Sequence, residues 1–145
     1  MKQEMKLEID SIPSNEAFAR VVVAAFLTRL NPTMEEIADI KTAVSEAVTN
    51  AIIHGYQNEV HKIEIGATVE KDLLTVHIRD FGVGIEDIEK AMEPMFTTRR
   101  DLERSGMGFV FMEAFMDSIK VESKIGAGTT VTMMKKIGRR YETQE

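Results

Sequence analysis

The sequence has no cysteine, no excess of basic residues and no apolar run near the roughly 20 residues of a membrane span. Without cysteine, disulfides, thiolate metal sites and cysteine nucleophiles are excluded. Eighteen Lys and Arg against 24 Asp and Glu give a net charge of −6, which argues against direct contact with nucleic acid or an anionic membrane. The N-terminal residues 1–5 lack the apolar stretch of a secretory signal. We therefore expect a cytoplasmic protein.

The length and composition are those of one globular unit. The chain has 145 residues, of which 43% are hydrophobic and 29% are charged. No repeat or low-complexity segment interrupts it, and only the last few residues form a polar stretch. We expect a single domain over residues 1–137 and a short polar tail over residues 138–145.

The first half of the chain predicts one strand and two helices. Apolar and polar residues alternate over Met5–Ile9, as in a half-buried strand. A helix should start with Ser14 as its N-cap and end near Leu30, just before an Asn-Pro pair. Thr33–Glu36 has the pattern of a capping box, which predicts the start of a second helix. Gly55 is its predicted C-cap.

The second half predicts a hairpin, two helices and two further strands. Alternating patterns over 63–69 and 74–78, joined by a short polar link, indicate an antiparallel hairpin. The remaining predicted elements are a short helix over 86–92, an irregular loop over 93–105, a helix over 108–117, and strands over 119–123 and 130–137. This order predicts an α/β (α+β) sandwich, with helices on one face of a mixed, mostly antiparallel sheet.

One face of the second helix carries a polar stripe. Glu46, Asn50 and His54 are spaced four residues apart and therefore lie on the same side of the helix. Apolar residues at 44, 48 and 52 lie on the other side. Taken alone, the stripe is compatible with ordinary solvated surface as well as with a site.

Three glycine-containing segments follow in order. Asp80–Gly84 comes directly after a strand, and its aspartate could accept a hydrogen bond from an exocyclic amine. Ser105–Phe109 places a glycine pair at a helix start, where backbone amides can bind phosphate. Gly126–Thr130 ends in two threonines whose hydroxyls could contact a base. Taken alone, each segment is more commonly a simple turn or helix cap.

The ordered set is more specific than any member. An E-x-x-x-N helix, a D-x-G-x-G turn, a G-x-G helix start and a G-x-G-T-T turn together resemble the GHKL family of ATP-binding domains, over about residues 46–130. The segments Val48–Tyr56, Glu93–Thr98 and Glu103–Phe109 look like the form found in bacterial anti-sigma-factor kinases. The resemblance implies the GHKL (Bergerat) fold, with ATP or ADP and Mg²⁺ as ligands.

The resemblance also assigns roles to individual residues. Glu46 matches the general base, and Asn50 matches the ligand of Mg²⁺. Asp80 matches the aspartate that reads adenine, and Gly82 and Gly84 match the turn against base and ribose. The remaining implied nucleotide contacts are His54, Thr97, Thr98, Arg104, Ser105, Gly106, Met107, Gly108, Thr129 and Thr130. The loop over 93–105 would be a lid ordered by the γ-phosphate.

By the same resemblance, the chain would bind and inhibit a sporulation sigma factor and phosphorylate a serine of its anti-anti-sigma antagonist. Two alternatives stay open. One is a nucleotide-gated sigma-factor-binding module without significant kinase activity. The other is an ATPase fragment of the chaperone or mismatch-repair type.

The first helix points to protein partners. Residues 18–30 are apolar nearly all round, whereas a helix on one face of a sheet needs only one apolar stripe. We expect a homodimer formed by this helix and the strand Met5–Ile9, with deep burial in one subunit as the alternative. Arg20 interrupts the apolar run and is the predicted contact for a partner carboxylate. A glutamate at Val22 or Val23 should then favour the monomer.

Overall fold

A computed structural model of the chain describes residues 1–93 and 108–138. Most of the predicted lid, residues 94–105, lies outside these ranges. Six of the implied nucleotide contacts, at positions 97, 98, 104, 105, 106 and 107, also lie outside these ranges. All but the first residue of the predicted polar tail also lies outside them.

Five strands form one sheet in the order β1-β2-β3-β5-β4, with β1 and β4 at its edges. The strands are β1 (Lys2–Asp10), β2 (Lys62–Glu70), β3 (Leu73–Asp80), β4 (Ser118–Lys124) and β5 (Gly128–Lys136). Across the described residues every pairing is antiparallel, so the sheet is uniform rather than mixed. The predicted hairpin is confirmed, because β2 and β3 pair directly with one another.

Helix α1 spans Ser14–Leu27, and one 3-10 turn, Thr28–Leu30, follows it. The prediction that Ser14 is the N-cap is wrong. An N-cap residue has extended backbone angles, but the residue before Ser14 is Pro13, which is already helical at φ −54° and ψ −35°. Proline fixes φ near the helical value, so the helical conformation starts one residue earlier and no side chain caps it.

Helix α2 spans Met34–Asn50 and continues as a π-helical turn, Ala51–Gly55. The predicted capping box is confirmed. The Glu36 backbone N–H donates to Thr33 Oγ1 at 3.0 Å, and the Thr33 N–H donates to Glu36 Oε1 at 2.9 Å. The cap fixes where α2 starts, and thereby the turn on which the polar stripe falls.

Two shorter helices follow along the chain: α3 (Ile88–Ala91) and α4 (Gly108–Phe115), of which α4 packs against α2. Both end earlier than the sequence pattern indicates. Among the described residues, no helix is long and apolar enough to cross a membrane.

The core lies between the helices and one face of the sheet. Its largest fully buried side chains come from α1, α2 and α4 and from alternate strand positions: Val23, Leu27, Ile40, Val44, Val48, Ile63, Ile65, Leu74, Val76, Ile78, Met112 and Met133. The intervening positions of β3, including His77 and Arg79, are exposed on the opposite face. This alternation confirms the predicted sandwich, with helices on one face of the sheet.

Candidate nucleotide-binding site

The polar stripe of α2 borders a cavity at one end of the sheet. Asn50 and His54 both line it, because residues four apart share a helix face. Glu46 lies one turn before Asn50 on that face and is half-buried, but it does not line the cavity itself. The stripe predicted from spacing alone is therefore present, with two members in the cavity wall and one just beyond it.

Gly55 is not the C-cap that the sequence suggests. It is the last residue of the π-helical turn, which is followed by Tyr56, and its role is close packing. A Cβ built on Gly82 would lie 1.9 Å from the carbonyl oxygen of Gly55, so only glycine allows the two backbones to approach. The Val83 N–H donates to that same oxygen at 2.9 Å. The end of the helix is thus joined to the turn after β3.

Gly84 has a different requirement. Its φ is +83°, a conformation that favours glycine, and a Cβ there would lie 2.3 Å from the carbonyl oxygen of Lys124. The turn is also joined to the π-helical end by Tyr56, whose hydroxyl accepts from the Phe81 N–H at 2.7 Å and donates to the Lys62 carbonyl at 2.5 Å. These contacts fix the turn after β3 between α2 and the β4–β5 connection.

Asp80 ends β3 inside the cavity and is only 5% exposed. Its Oδ1 accepts from the Gly82 N–H at 2.9 Å, and the Thr129 backbone N–H also donates to the carboxylate. Burial raises the pKa of Asp80, and these two hydrogen bonds lower it by less. The carboxylate is therefore held in one position in a desolvated pocket, where one oxygen can read a polar ligand group.

The raised pKa predicts a pH-dependent contribution to stability. A carboxyl group whose pKa is higher in the folded state stabilises the fold most below its unfolded pKa of about 3.9. This stabilisation is lost as the pH rises through the folded pKa. We therefore expect the difference in unfolding free energy, wild type minus Asp80→Asn, to fall from about pH 4 upward and then to level off. Urea unfolding at a series of pH values measures it.

The control for this measurement is Asp72→Asn, in the turn between β2 and β3, whose side chain is 53% exposed. Its difference from wild type should stay nearly constant over the same pH range. A pH-independent difference for Asp80→Asn would show that burial does not perturb Asp80.

The two threonines of the last motif lie on opposite sides of the sheet. Thr129 is buried in the cavity wall, and its hydroxyl is 2.7 Å from Ser123 Oγ. Thr130 pairs with Arg79 across the ladder and shares that residue's exposed face. The structure therefore does not bring the Thr130 side chain into the site, since adjacent strand residues point to opposite faces.

Gly108 lies beside Asn50, although 58 positions separate them in the sequence. A Cβ on Gly108 would be 2.9 Å from Asn50 Nδ2, and both residues line the cavity. The start of α4 is thus packed against the polar stripe of α2. Of the segment Ser105–Phe109, Gly108 and Phe109 lie within the described residues, and both line the cavity.

The assembled cavity has a volume of about 1020 Å³, the scale of a small-molecule site. Its walls combine apolar residues with a few polar groups: Ala47, Asn50, Ala51, His54, Ile78, Asp80, Ser123, Thr129 and Val131. Such a site can enclose a flat apolar ring and form a hydrogen bond with a polar edge of that ring through Asp80. From there the cavity extends past Asn50 toward the start of α4. Sequence reasoning did not find Ser123, because a single serine in a strand carries no motif.

The Asn50 side chain also suits a hard cation. Mg²⁺ takes oxygen ligands and keeps several waters, so one amide oxygen together with phosphate oxygens is an adequate set. Within residues 1–93 and 108–138, no group of three or more His, Asp or Glu side chains is arranged to hold a metal ion. A metal here would therefore be shared with a bound phosphate group.

The fold and this site define a class of protein. A family of histidine kinase-like ATPase domains matches residues 11–135, which include every element described here except β1 and the last residue of β5. The chain therefore belongs to that family.

Curated relatives narrow the class further. A protein of Clostridium acetobutylicum is 57% identical over 136 residues, which are 94% of this chain and 95% of the relative. A Thermoanaerobacter sp. protein is 59% identical, covering 92% and 94%, and one of Oceanobacillus iheyensis is 54% identical, covering 96% of each. All three are named anti-sigma F factor, so the chain is similar to anti-sigma F factors over nearly its whole length.

Proposed function

We propose that this protein is an ATP-dependent serine protein kinase that also binds and inhibits a sporulation sigma factor. The observation that supports it most is the meeting of Asn50, Asp80 and Gly108 at one cavity, since three separate motifs supply them. The names of the relatives support the sigma-factor partner. The substrate is a serine of the antagonist, an anti-anti-sigma protein.

The cavity suggests a pose for the nucleotide. The Asp80 carboxylate accepts from the adenine amine, Gly82 and Gly84 let the backbone follow base and ribose, and Thr129 contributes a hydroxyl beside Asp80. The phosphates extend past Asn50 toward the backbone amides at the start of α4. Asn50 would hold Mg²⁺ through its amide oxygen, and the bound ion would neutralise phosphate charge.

In the transfer step, the serine Oγ forms a bond to the γ-phosphorus and the bond from that phosphorus to the ADP oxygen breaks. Glu46 takes the hydroxyl proton, for which its place one turn before Asn50 is suited. Phosphoryl transfer needs positioning and charge neutralisation more than covalent help. A single carboxylate is therefore a sufficient base.

Arg20 supplies the contact with protein partners. Its Nη1 lies 3.1 Å from Glu16 Oε2, and the same oxygen accepts a hydrogen bond from Ser45 on α2. Because 40% of its side chain is exposed, the guanidinium can still meet a partner carboxylate. The Arg20 surface thus adjoins the helix that carries Glu46.

Arg20→Glu should weaken binding of both partner proteins by at least about 30-fold, corresponding to about 2 kcal/mol for an interface arginine. Affinity for MgATP should not change, since Arg20 does not line the cavity. Calorimetric titration with each partner and with nucleotide measures both effects.

The matched control is Arg29→Glu, which makes the same charge change just beyond the end of α1, where Arg29 stacks on Phe26. It should leave partner affinities nearly unchanged. Normal partner binding by Arg20→Glu would remove this contact from the account.

A homodimer through α1 and β1 is part of the proposal. On α1 an apolar stripe is exposed, with Phe18 at 51% and Val21 at 55% exposure. The sequence-based choice of Val23 as an interface position is wrong, because Val23 is fully buried and a glutamate there would disrupt the core of the subunit. Val22 is half-buried, so the informative positions are Phe18 and Val21.

The alternative is a nucleotide-gated sigma-factor-binding module without significant kinase activity. Incubation with γ-labelled ATP, Mg²⁺ and the antagonist distinguishes the two. Acid-stable label on the antagonist supports a kinase acting on a hydroxyl. Absence of transfer, with nucleotide and sigma factor still bound, supports the alternative.

A further inference from the structure

We propose that Lys135 is a positioning residue for the nucleotide phosphates, because it holds the last turn of α4, the helix whose first turn faces them. Lys135 acts through the helix and does not touch the nucleotide. This inference rests on the nucleotide pose of the proposed function and adds the residue that keeps α4 in place.

Lys135 occupies an unusual position for a lysine. Strand β5 turns alternate residues toward the core, among them Val131 and Met133, and Lys135 is next in that series. Ile137, two residues further on, is buried again. The Lys135 side chain is accordingly only 14% exposed. Lysines are rarely buried to this extent without a partner, so the ammonium group needs specific contacts inside the fold.

The ammonium group has partners on two different helices. Lys135 Nζ donates to the carbonyl of Phe115, the last residue of α4, at 2.7 Å. It also lies 3.8 Å from Oδ2 of Asp39 on α2, a side chain that is 23% exposed. Lys135 therefore connects strand β5 with α2 and with the end of α4.

Helix α4 has little of its own to fix its last turn. The helix has eight residues, and Met112 is the one among them with a fully buried side chain. Its last turn contains no basic residue. The carbonyl groups of a last turn have no partner within the helix, and a cation beside them also stabilises the negative end of the helix dipole. Lys135 supplies both the donor and the cation from another element.

The two ends of α4 contact the same face of α2. Asp39 and Asn50 are 11 positions apart, which is close to three turns of 3.6 residues. Asn50 lies beside Gly108 at the start of α4, and Asp39 is joined to Phe115 at its end through Lys135. Helix α4 therefore runs antiparallel to α2, with one contact at each end.

Loss of the Lys135 contacts would release one of these two ends. Because α4 is only about 12 Å long, a shift of its last turn moves its first turn as well. The backbone amides there must point at phosphate oxygens in order to donate to them. In the proposed pose, base and ribose lie against Asp80, Gly82 and Gly84, which are not on α4. A shift of α4 should therefore weaken the phosphate contacts and spare those of the base.

Lys135→Met tests this, since methionine keeps a long apolar stem and lacks the ammonium group. Titrations with MgATP and with adenosine, followed by amide chemical shifts, give a dissociation constant for each. We expect the affinity for ATP to fall about tenfold, the scale of one hydrogen bond from a charged group, and the affinity for adenosine to stay unchanged. The variant should fold, because Met112 stays in the core and the Asp117 N–H still donates to the Met134 carbonyl.

Three further variants complete the comparison. Lys135→Arg should retain most of the preference for ATP, because arginine keeps the cation and the donor. Lys136→Met is the matched control, since it makes the same change at the next residue, whose side chain is 51% exposed; it should leave both constants as in wild type. Asp39→Asn removes one partner of Lys135 and should reduce the preference for ATP about threefold.

The outcomes separate this inference from the proposed function. Equal losses of ATP and adenosine affinity in Lys135→Met would make Lys135 a merely structural residue and overturn the inference. So would a wild-type preference for ATP in Lys135→Met, or in Asp39→Asn if the first variant does not fold, and the proposed function would then still stand. A wild-type chain that binds ATP no more tightly than adenosine would instead contradict the pose in the proposed function.

Discussion

Glu46→Gln should retain ATP binding and lose phosphoryl transfer by roughly 10²–10⁴-fold, the usual contribution of a general base. Glutamine keeps the size and the hydrogen-bonding oxygen of the side chain but cannot accept the proton of the serine hydroxyl. Because Glu46 does not line the cavity, nucleotide affinity should stay within a few-fold of wild type. Single-turnover transfer to the antagonist and calorimetry with MgATP separate the two quantities.

Glu35→Gln is the matched control, since it makes the same chemical change at an exposed position in the first turn of α2. It should transfer phosphate at the wild-type rate. If Glu46→Gln lost binding and transfer equally, Glu46 would be a structural or metal-site residue and the proposed mechanism would need another base.

Asn50→Ala should make ATP affinity independent of Mg²⁺ and abolish transfer. The Asn50 side chain lines the cavity beside the start of α4, and its amide oxygen is the proposed protein ligand of the shared metal. The alanine variant lacks this oxygen. The fold should survive, because alanine is a good helix former and Asn50 is not a core residue. Calorimetric titration with ATP, with and without Mg²⁺, measures the effect, and thermal unfolding checks the fold.

Asn50→Asp serves as the partial rescue, since it keeps an oxygen ligand at the same position. We expect it to recover a Mg²⁺-dependent gain in ATP affinity that the alanine variant lacks. Wild-type affinity for MgATP in Asn50→Ala would remove the metal role from this residue.

Local patterns predicted much of the fold. The capping box at Thr33–Glu36 and the β2–β3 hairpin depend on neighbouring residues, and both are confirmed. The N-cap failed at Ser14, because Pro13 already occupies helical angles and moves the start back by one residue.

Site residues that belong to motifs at the ends of helices and strands could be predicted from the sequence. Residues whose position depends on packing between distant segments were harder to predict. Spacing alone brought Asn50 and His54 into one wall. The role of Gly55 was hidden, because its contact with Gly82 spans 27 positions and no local signal marks it. The side to which Thr130 points follows from strand register, which the motif itself does not specify.

Helix α1 has more apolar residues than one buried face needs, and their spacing does not show which of them are exposed. The helix does expose an apolar stripe, but at Phe18 and Val21 rather than at Val23. A helix that is apolar nearly all round gives no phase from which to tell its inner face from its outer one.

The central claim, that Mg-nucleotide binds in the cavity joining α2, α4 and the ends of β3 and β5, can be tested by amide chemical-shift mapping. Uniformly ¹⁵N-labelled protein is titrated with Mg²⁺ and a non-hydrolysable ATP analogue. We expect the largest shifts at the backbone amides of Gly55, Gly82 and Thr129, which surround Asp80. The amides of Gln3 and Met5, in the edge strand β1 that β2 separates from β3, should move little. Saturable binding that leaves the amides around Asp80 unchanged would contradict the account.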